Sequence, residues 1–122
     1  MNIEQLRDYC LSKKGVIEAF PFNETTLVFK VFGKIFALTS LKGWEEGTPS
    51  INLKCDPDYA QELRATYESI QPGYHMNKKH WNTVQLNQEA LNPKFIIKLI
   101  NHSYDAVVKS LPKKAREHIH EC

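Results

Sequence analysis

Apolar residues recur along this chain with two different periods, and each change of period marks a new element. Ile3, Leu6 and Cys10 fall on one stripe of a helix running through about Leu11. Asn2 and Gln5 open it with the spacing of a capping box, and Lys13-Lys14-Gly15 closes it. Val16 to Thr25 contains Ala19-Phe20-Pro21-Phe22-Asn23, where proline disfavours helix; this is an ordered connector whose aromatics tuck against the sheet. The period then shortens to two. Thr26–Phe32 and Ile35–Leu41 are β-rich runs joined through Gly33-Lys34, with Gly first in a two-residue loop suited to a type II′ turn. In the first run Leu27, Phe29 and Val31 share one face while Val28, Lys30 and Phe32 share the other, so both faces are partly apolar. Lys42 to Pro49 is a polar loop carrying one exposed tryptophan, Trp44, and Ile51, Leu53 and Cys55 then alternate with Asn52 and Lys54 in a third strand.

Asp56-Pro57 starts a second helix, because Asp accepts from free backbone N–H groups and proline fits the first helical position. Tyr59, Leu63, Tyr67 and Ile70 mark its buried stripe. A hairpin follows, with Tyr74–Met76 and Trp81–Leu86 extended around Asn77-Lys78-Lys79. Asn92-Pro93 repeats the helix-start signal, and Ile96, Leu99, Ile100, Tyr104, Val107, Val108 and Leu111 give the run from Phe95 to Leu111 a broad apolar face. Pro112 breaks it, leaving Lys113–Glu121 as a short polar helix or frayed tail. The order α-β-β-β-α-β-β-α-(α), with hairpins in place of repeated βαβ units, predicts an α+β fold: a compact two-layer sandwich of mainly antiparallel sheet packed with helices.

Bulk properties change this picture little. A chain of 122 residues, 42% apolar and 25% charged, is expected to form one domain over 1–122 with a core that needs no staples. A formal charge of +2 and a pI near 8.4 permit nucleic-acid contact without demanding it, so any binding surface must be local. Cys10, Cys55 and Cys122 are widely spaced and include no CxxC pair, which predicts free thiols. No signal-peptide pattern opens the chain and no apolar run approaches the ~20 residues that span a bilayer. The expectation is a cytoplasmic monomer with no membrane partner.

The densest chemistry lies in Pro72 to Val84. Lys78 and Lys79 can neutralise phosphates, Asn77 and Asn82 can hydrogen-bond phosphate or base edges, and an exposed Trp81 can stack on an unpaired base. The plainer account of the same residues is a packed Trp81, solvated lysines and an Asn77 that holds the turn. Lys30 and Lys34 extend a basic surface from the first hairpin, and Lys54 joins them if the strands form a continuous sheet; for Lys34, in a turn, protection of a strand edge is the stronger account. Lys113-Lys114-Ala115-Arg116 is a further phosphate contact or a solvated face. His75 and His80 invite metal or acid–base roles, yet packing around Trp81 is the commoner outcome for such residues. His118, His120 and Cys122 offer donors at the tail, where chelation is adventitious. A nucleophile elbow, a Gly-rich phosphate loop and an organised carboxylate pair are all missing from the sequence, so no enzymatic activity is expected and no cofactor is implied.

Leu53-Lys54-Cys55-Asp56-Pro57 leading into a helix, the His-x-Asn-Lys-x-His-Trp core from His75 to Trp81, and Ser103-Tyr104 in the last long helix together resemble the MmcQ/YjbR family of small bacterial proteins. The resemblance covers essentially the whole chain. It implies a compact fold, likened to frataxin-type sandwiches and to double-wing DNA-binding domains, and a DNA-binding label that rests largely on fold analogy. The frataxin likeness raises iron binding, for which Glu4, Asp8 and Glu18 are too sparse and are diluted by Arg7, Lys13 and Lys14. The expected function is therefore DNA binding through a basic edge hairpin using His75, Asn77, Lys78, Lys79, His80, Trp81 and Asn82, with Lys30, Lys34 and Lys54 beside it. The alternative is a protein-interaction module that buries aromatics of the same hairpin, or of the Trp44 loop, against a partner.

Overall fold

The reciprocal bonds expected of Asn2 and Gln5 are present, 2.8 and 2.9 Å long, and launch α1 (Ile3–Leu11) in a computed structural model that describes residues 1–74, 76–87 and 91–121. The segment after it is not all connector. Val16–Ala19 forms a strand, β1, antiparallel to β2 (Thr26–Val31), which is followed by β3 (Lys34–Ser40). Pro21 rules out helix where it stands but has no bearing on the extended residues upstream of it. A short α2 (Leu41–Glu45) precedes β4 (Ser50–Lys54), α3 (Pro57–Thr66), β5 (Ile70–Pro72), β6 (Trp81–Gln85), α4 (Pro93–Ser110) and α5 (Lys113–Glu121). The strands form one antiparallel sheet in the order β1-β2-β3-β4-β6-β5. The α+β class and the antiparallel layer stand, with β1 and α2 added to the expected order.

Register separates the two faces of this sheet. Leu27, Phe29, Val31, Ala37, Ile51, Leu53, Ile70 and Val84 enter one core with Leu6 and Cys10 of α1, Leu63 of α3, Ile119 of α5 and Ile96, Leu99, Ile100, Tyr104 and Val107 of α4. Each large apolar side chain so buried contributes roughly 1.5–3 kcal/mol over leaving it exposed, which makes α4 the dominant cover of the sheet. The opposite face carries no helix among the described residues.

Three local differences have physical reasons. Val31 pairs with Lys34, and Phe32 and Gly33 both have positive φ, 47° and 79°, so the first hairpin turns on Phe32-Gly33 with the dihedral signs of a type I′ turn, one residue earlier than expected. A left-handed backbone costs an aromatic residue about 1–2 kcal/mol; the Phe32 ring meets His118 edge-on, with centroids 5.6 Å apart. Ile70 opens β5 in place of ending α3, because Tyr67 already has extended backbone. It is buried either way, and its spacing from Leu63 and Tyr67 could not distinguish the two. The partner of β6 is consequently Ile70–Pro72, and Tyr74 and Met76 lie in the intervening loop.

The centre of the sheet is a seam. β3 and β4 pair at Ala37–Leu53 and Leu38–Asn52, next to a register shift between β2 and β3. At one end of the seam the fully buried Ser103 of α4 donates its hydroxyl to Phe36 O (2.5 Å) and accepts from Lys54 N (2.8 Å). At the other, Thr39 Oγ1 donates to Ser50 O (2.5 Å) and accepts from Trp44 Nε1 (2.9 Å). Trp44 is therefore half-buried against the core rather than an exposed loop residue.

Candidate nucleic-acid interface

Cross-strand register arranges the helix-free face in rows. One row crosses all six strands as Ala19, Val28, Leu38, Asn52, Thr83 and Gln71, apolar toward β1 and polar toward β5. Beside it lie Ile17, Lys30 and Ile35, and on β4 and β6 the pair Lys54 and Trp81. On its other side are Thr26 with Ser40 and Ser50 with Gln85. None of these positions is Asp or Glu, while Lys30 and Lys54 are both half-buried on the face. The continuous sheet thus brings Lys54 to the same side as Lys30. Lys34 pairs with Val31, whose side chain is in the core, so it belongs to the opposite face, exposed at the turn.

The floor of this face is overhung at both ends. The connector after β1 contributes Phe22 and Asn23, and the loop after β5 contributes Tyr74, Met76 and Lys78, to a cleft of about 750 Å³ floored by Leu38, Asn52, Thr83 and neighbouring polar residues. Phe20 is 48% exposed and Phe22 65%, so the connector aromatics do not tuck against the sheet as expected, and Tyr74 on the facing loop is 72% exposed. The polar end of the floor is wired. Tyr74 N donates to Thr83 Oγ1 (3.0 Å), and the Thr83 hydroxyl donates in turn to Asn52 Oδ1 (2.5 Å). Gln71 Nε2 donates to Glu68 O (2.7 Å).

The basic turn is held from beneath. Arg64 of α3 donates through Nε to Asn82 Oδ1 (2.6 Å) and through Nη2 to the carbonyl oxygens of Trp81 (3.1 Å) and Lys78. Asn82 is 2% exposed and points into the helix side beside Val84, so it offers nothing to a ligand; alternation along β6 sends Trp81, Thr83 and Gln85 outward and Asn82 inward. Asn77 accepts from Lys79 N (2.9 Å), the turn-holding role, while the Lys78 and Lys79 side chains are exposed. Trp81 is half-buried on the open face across from Lys54. Gly73 is required here, because a Cβ would stand 2.8 Å from Trp81 Cβ and 3.0 Å from its carbonyl oxygen. His80 is half-buried, with its carbonyl accepting from Cys55 N (2.8 Å). His75 lies outside the described residues, as do Cys122 and the side chain of His120.

Among the described residues no group of three His, Cys, Asp or Glu is placed to hold a metal ion. His102 Nε2 accepts from Asp56 N (3.2 Å) at the start of α3, and its ring lies edge-on to Tyr59. The Arg7 guanidinium, 2.6 Å from Glu18, holds that carboxyl below its usual range. Burial pushes the Cys10 thiol up to about 12 and the Cys55 thiol up to about 11, so both remain protonated and poorly nucleophilic.

Composition drew attention to the turn and passed over Phe22, Asn52, Arg64, Gln71 and Tyr74. The signal for Asn52 was present in the strand alternation Ile51-Asn52-Leu53-Lys54, which assigns Asn52 and Lys54 to one outward face.

Comparison with known proteins agrees with this architecture. The YjbR family model matches residues 11–106. The uncharacterized protein YbdF of Escherichia coli O157:H7 is 42% identical over 100 residues, 82% of this chain and 79% of its own. The uncharacterized protein YjbR of Escherichia coli K12 is 32% identical over 117 residues, 96% of each chain. The crystal structure of protein DR2400 from Deinococcus radiodurans superposes with a TM-score of 0.86 at 35% identity, covering 98% of this chain and 88% of that one.

Proposed function

This chain belongs to the YjbR family, and from that premise we propose that it binds nucleic acid through the helix-free face of its sheet. The observation that carries the proposal is the face itself: a six-stranded surface bearing Lys30, Lys54 and Trp81, without a carboxylate at any outward strand position, and bordered by the exposed Lys78 and Lys79. Phosphates are neutralised by the lysines and Trp81 supplies an aromatic surface beside Lys54. The hairpin turn is then the margin of the binding surface rather than its centre. A weakly basic chain needs such a local concentration, since its net charge of +2 gives little attraction on its own. No catalytic step is part of this proposal.

Fluorescence anisotropy of labelled DNA across a salt series, with unlabelled competitor, tests it. Binding should be saturable, and log K should fall linearly with log salt by about 0.7–0.9 per phosphate neutralised. Lys30→Glu/Lys54→Glu should weaken binding more than Lys78→Glu/Lys79→Glu does. Absence of competed binding at low salt, or equal binding by the Lys30→Glu/Lys54→Glu protein, sinks the proposal. A protein partner is the second reading, favoured by the exposed Ile17, Phe20 and Phe22 in and beside the edge strand β1.

A further inference from the structure

The cleft at the polar end of this face has a floor whose hydrogen-bonding polarity is set by its neighbours. Thr83 receives the Tyr74 amide proton and gives its own hydroxyl proton to Asn52 Oδ1, so Asn52 is oriented with its acceptor occupied and its Nδ2 hydrogens left as donors. Gln71 is oriented in the opposite sense, because Nε2 is committed to Glu68 O and Oε1 is left as an acceptor. Asn52 and Gln71 are both cross-strand partners of Thr83, one on each side of β6, and all three line the cleft. A donor and an acceptor are thereby held on either side of Thr83, about two strand spacings apart, close to 10 Å between backbones.

We propose that this cleft is a pocket for an unpaired nucleobase. The pairing edge of each base sets an acceptor beside a donor, the complement of what Asn52 and Gln71 present, and in a duplex that edge is already occupied. The exposed Tyr74 ring on the same rim supplies a stacking surface, and Lys78, also on the rim, sits where the attached phosphate can be neutralised. The cleft volume of about 750 Å³ falls within the ~300–1,000 Å³ typical of ligand sites. Leu38 provides the apolar floor beneath the ring, and Phe22 closes the opposite end. The inference rests on the open-face reading when the base comes from a strand, and it stands alone when the base comes from a free nucleotide. The shared chemistry is the unpaired base.

Three probes separate the sources: a mixed-sequence single-stranded oligonucleotide, the same sequence as a duplex, and the four nucleoside monophosphates. Binding of the first two is followed by anisotropy, and the third by the side-chain amide resonances of Asn52 and Gln71. The single strand should bind at least about tenfold tighter than the duplex, as expected when one base stacks and pairs with the protein. Tyr74→Leu changes an exposed residue and should cut single-strand affinity about tenfold while leaving duplex affinity within about twofold. Asn52→Leu should do the same, with thermal melting used to verify that the protein stays folded.

A single strand bound no tighter than the duplex, or bound equally by wild type, Tyr74→Leu and Asn52→Leu, together with monophosphates that leave the Asn52 and Gln71 amides unshifted, overturns the pocket while leaving the open-face reading intact. Monophosphates that shift the Asn52 and Gln71 amides when neither oligonucleotide binds support the pocket, assign it to free nucleotides and overturn the open-face reading. Silence from all three probes removes both.

Discussion

Replacing Arg64 by alanine tests whether the basic turn is a built surface or a floppy one. Three hydrogen bonds leave with the guanidinium, but they are not equal. Trp81 O keeps its bond from Gly73 N at 2.8 Å, and Lys78 is exposed, so water can replace the lost donor at its carbonyl. Asn82 Oδ1 has no such recourse: the side chain is 2% exposed and its amide nitrogen holds only a long 3.5 Å contact with Ala60 O. Stranding a buried acceptor costs about 1–3 kcal/mol, and losing a hydrogen bond from a charged donor costs about 1.5–3 kcal/mol, with the two overlapping in a single substitution. The expected loss is about 2–4 kcal/mol from a total of roughly 5–15 kcal/mol for a domain of this kind. Urea denaturation followed by circular dichroism measures it. Arg64→Lys should recover less than half, because an ammonium cannot reproduce the fork that reaches three oxygens. Asn82→Leu in the Arg64→Ala background should then be nearly silent or favourable, since the stranded amide is gone. A loss below about 0.5 kcal/mol for Arg64→Ala, or strictly additive effects in the double variant, would refute the clamp.

Ser103→Ala removes the hydroxyl shared by Phe36 O and Lys54 N, leaving two buried backbone groups unpaired, and should cost about 2–4 kcal/mol in the same denaturation assay. Gly73→Ala sets a methyl 2.8 Å from Trp81 Cβ, and overpacking of this kind should cost about 1–3 kcal/mol and shift the Trp81 indole resonance. The two buried thiols predict a loss of stability in alkali. Their folded-state values of about 12 and about 11 lie above the usual 9.0, so the native chain keeps protons that the unfolded chain releases; stability is intact below pH 9 and declines as pH rises toward 11 and beyond. Urea midpoints measured between about pH 8 and 10.5 should fall with pH, and a Cys10→Ala/Cys55→Ala protein should show a shallower decline. An unchanged slope contradicts the assignment. Tyr59 and Tyr104, also raised by burial, add a decline of the same sign starting at higher pH.

Helices and the strands beside them were legible because their periods are strong. The six α4 residues buried in the structure include Ile96, Leu99, Ile100, Tyr104 and Val107, all on the apolar face read from the sequence, and Asn92 caps the helix as its spacing implies. The strand β1 was hidden by brevity, since four residues beside a proline-bearing loop carry little period. Ile70 fitted two patterns at once. The candidate site was half legible, because residue type shows which lysines exist and alternation shows which face they share. What composition cannot show is that Asn82 is consumed by Arg64, a partner 18 residues away, or that Asn52 and Gln71 flank Thr83, a relation that exists only after β5, β6 and β4 have paired.

The seam between β3 and β4 makes the sheet two three-stranded leaves on a common spine, since the leaves share two residue pairs and are pinned at the ends by the hydroxyls of Thr39 and Ser103. Leu38 and Asn52 form one of those pairs and also floor the cleft, so the spine runs beneath the proposed pocket. Anything seated there would clasp both leaves. The Lys54 amide, which bonds to a side chain of α4 in place of the neighbouring strand, is the natural gauge: its proton should exchange with solvent whenever the leaves part or α4 lifts, and more slowly once the cleft is filled.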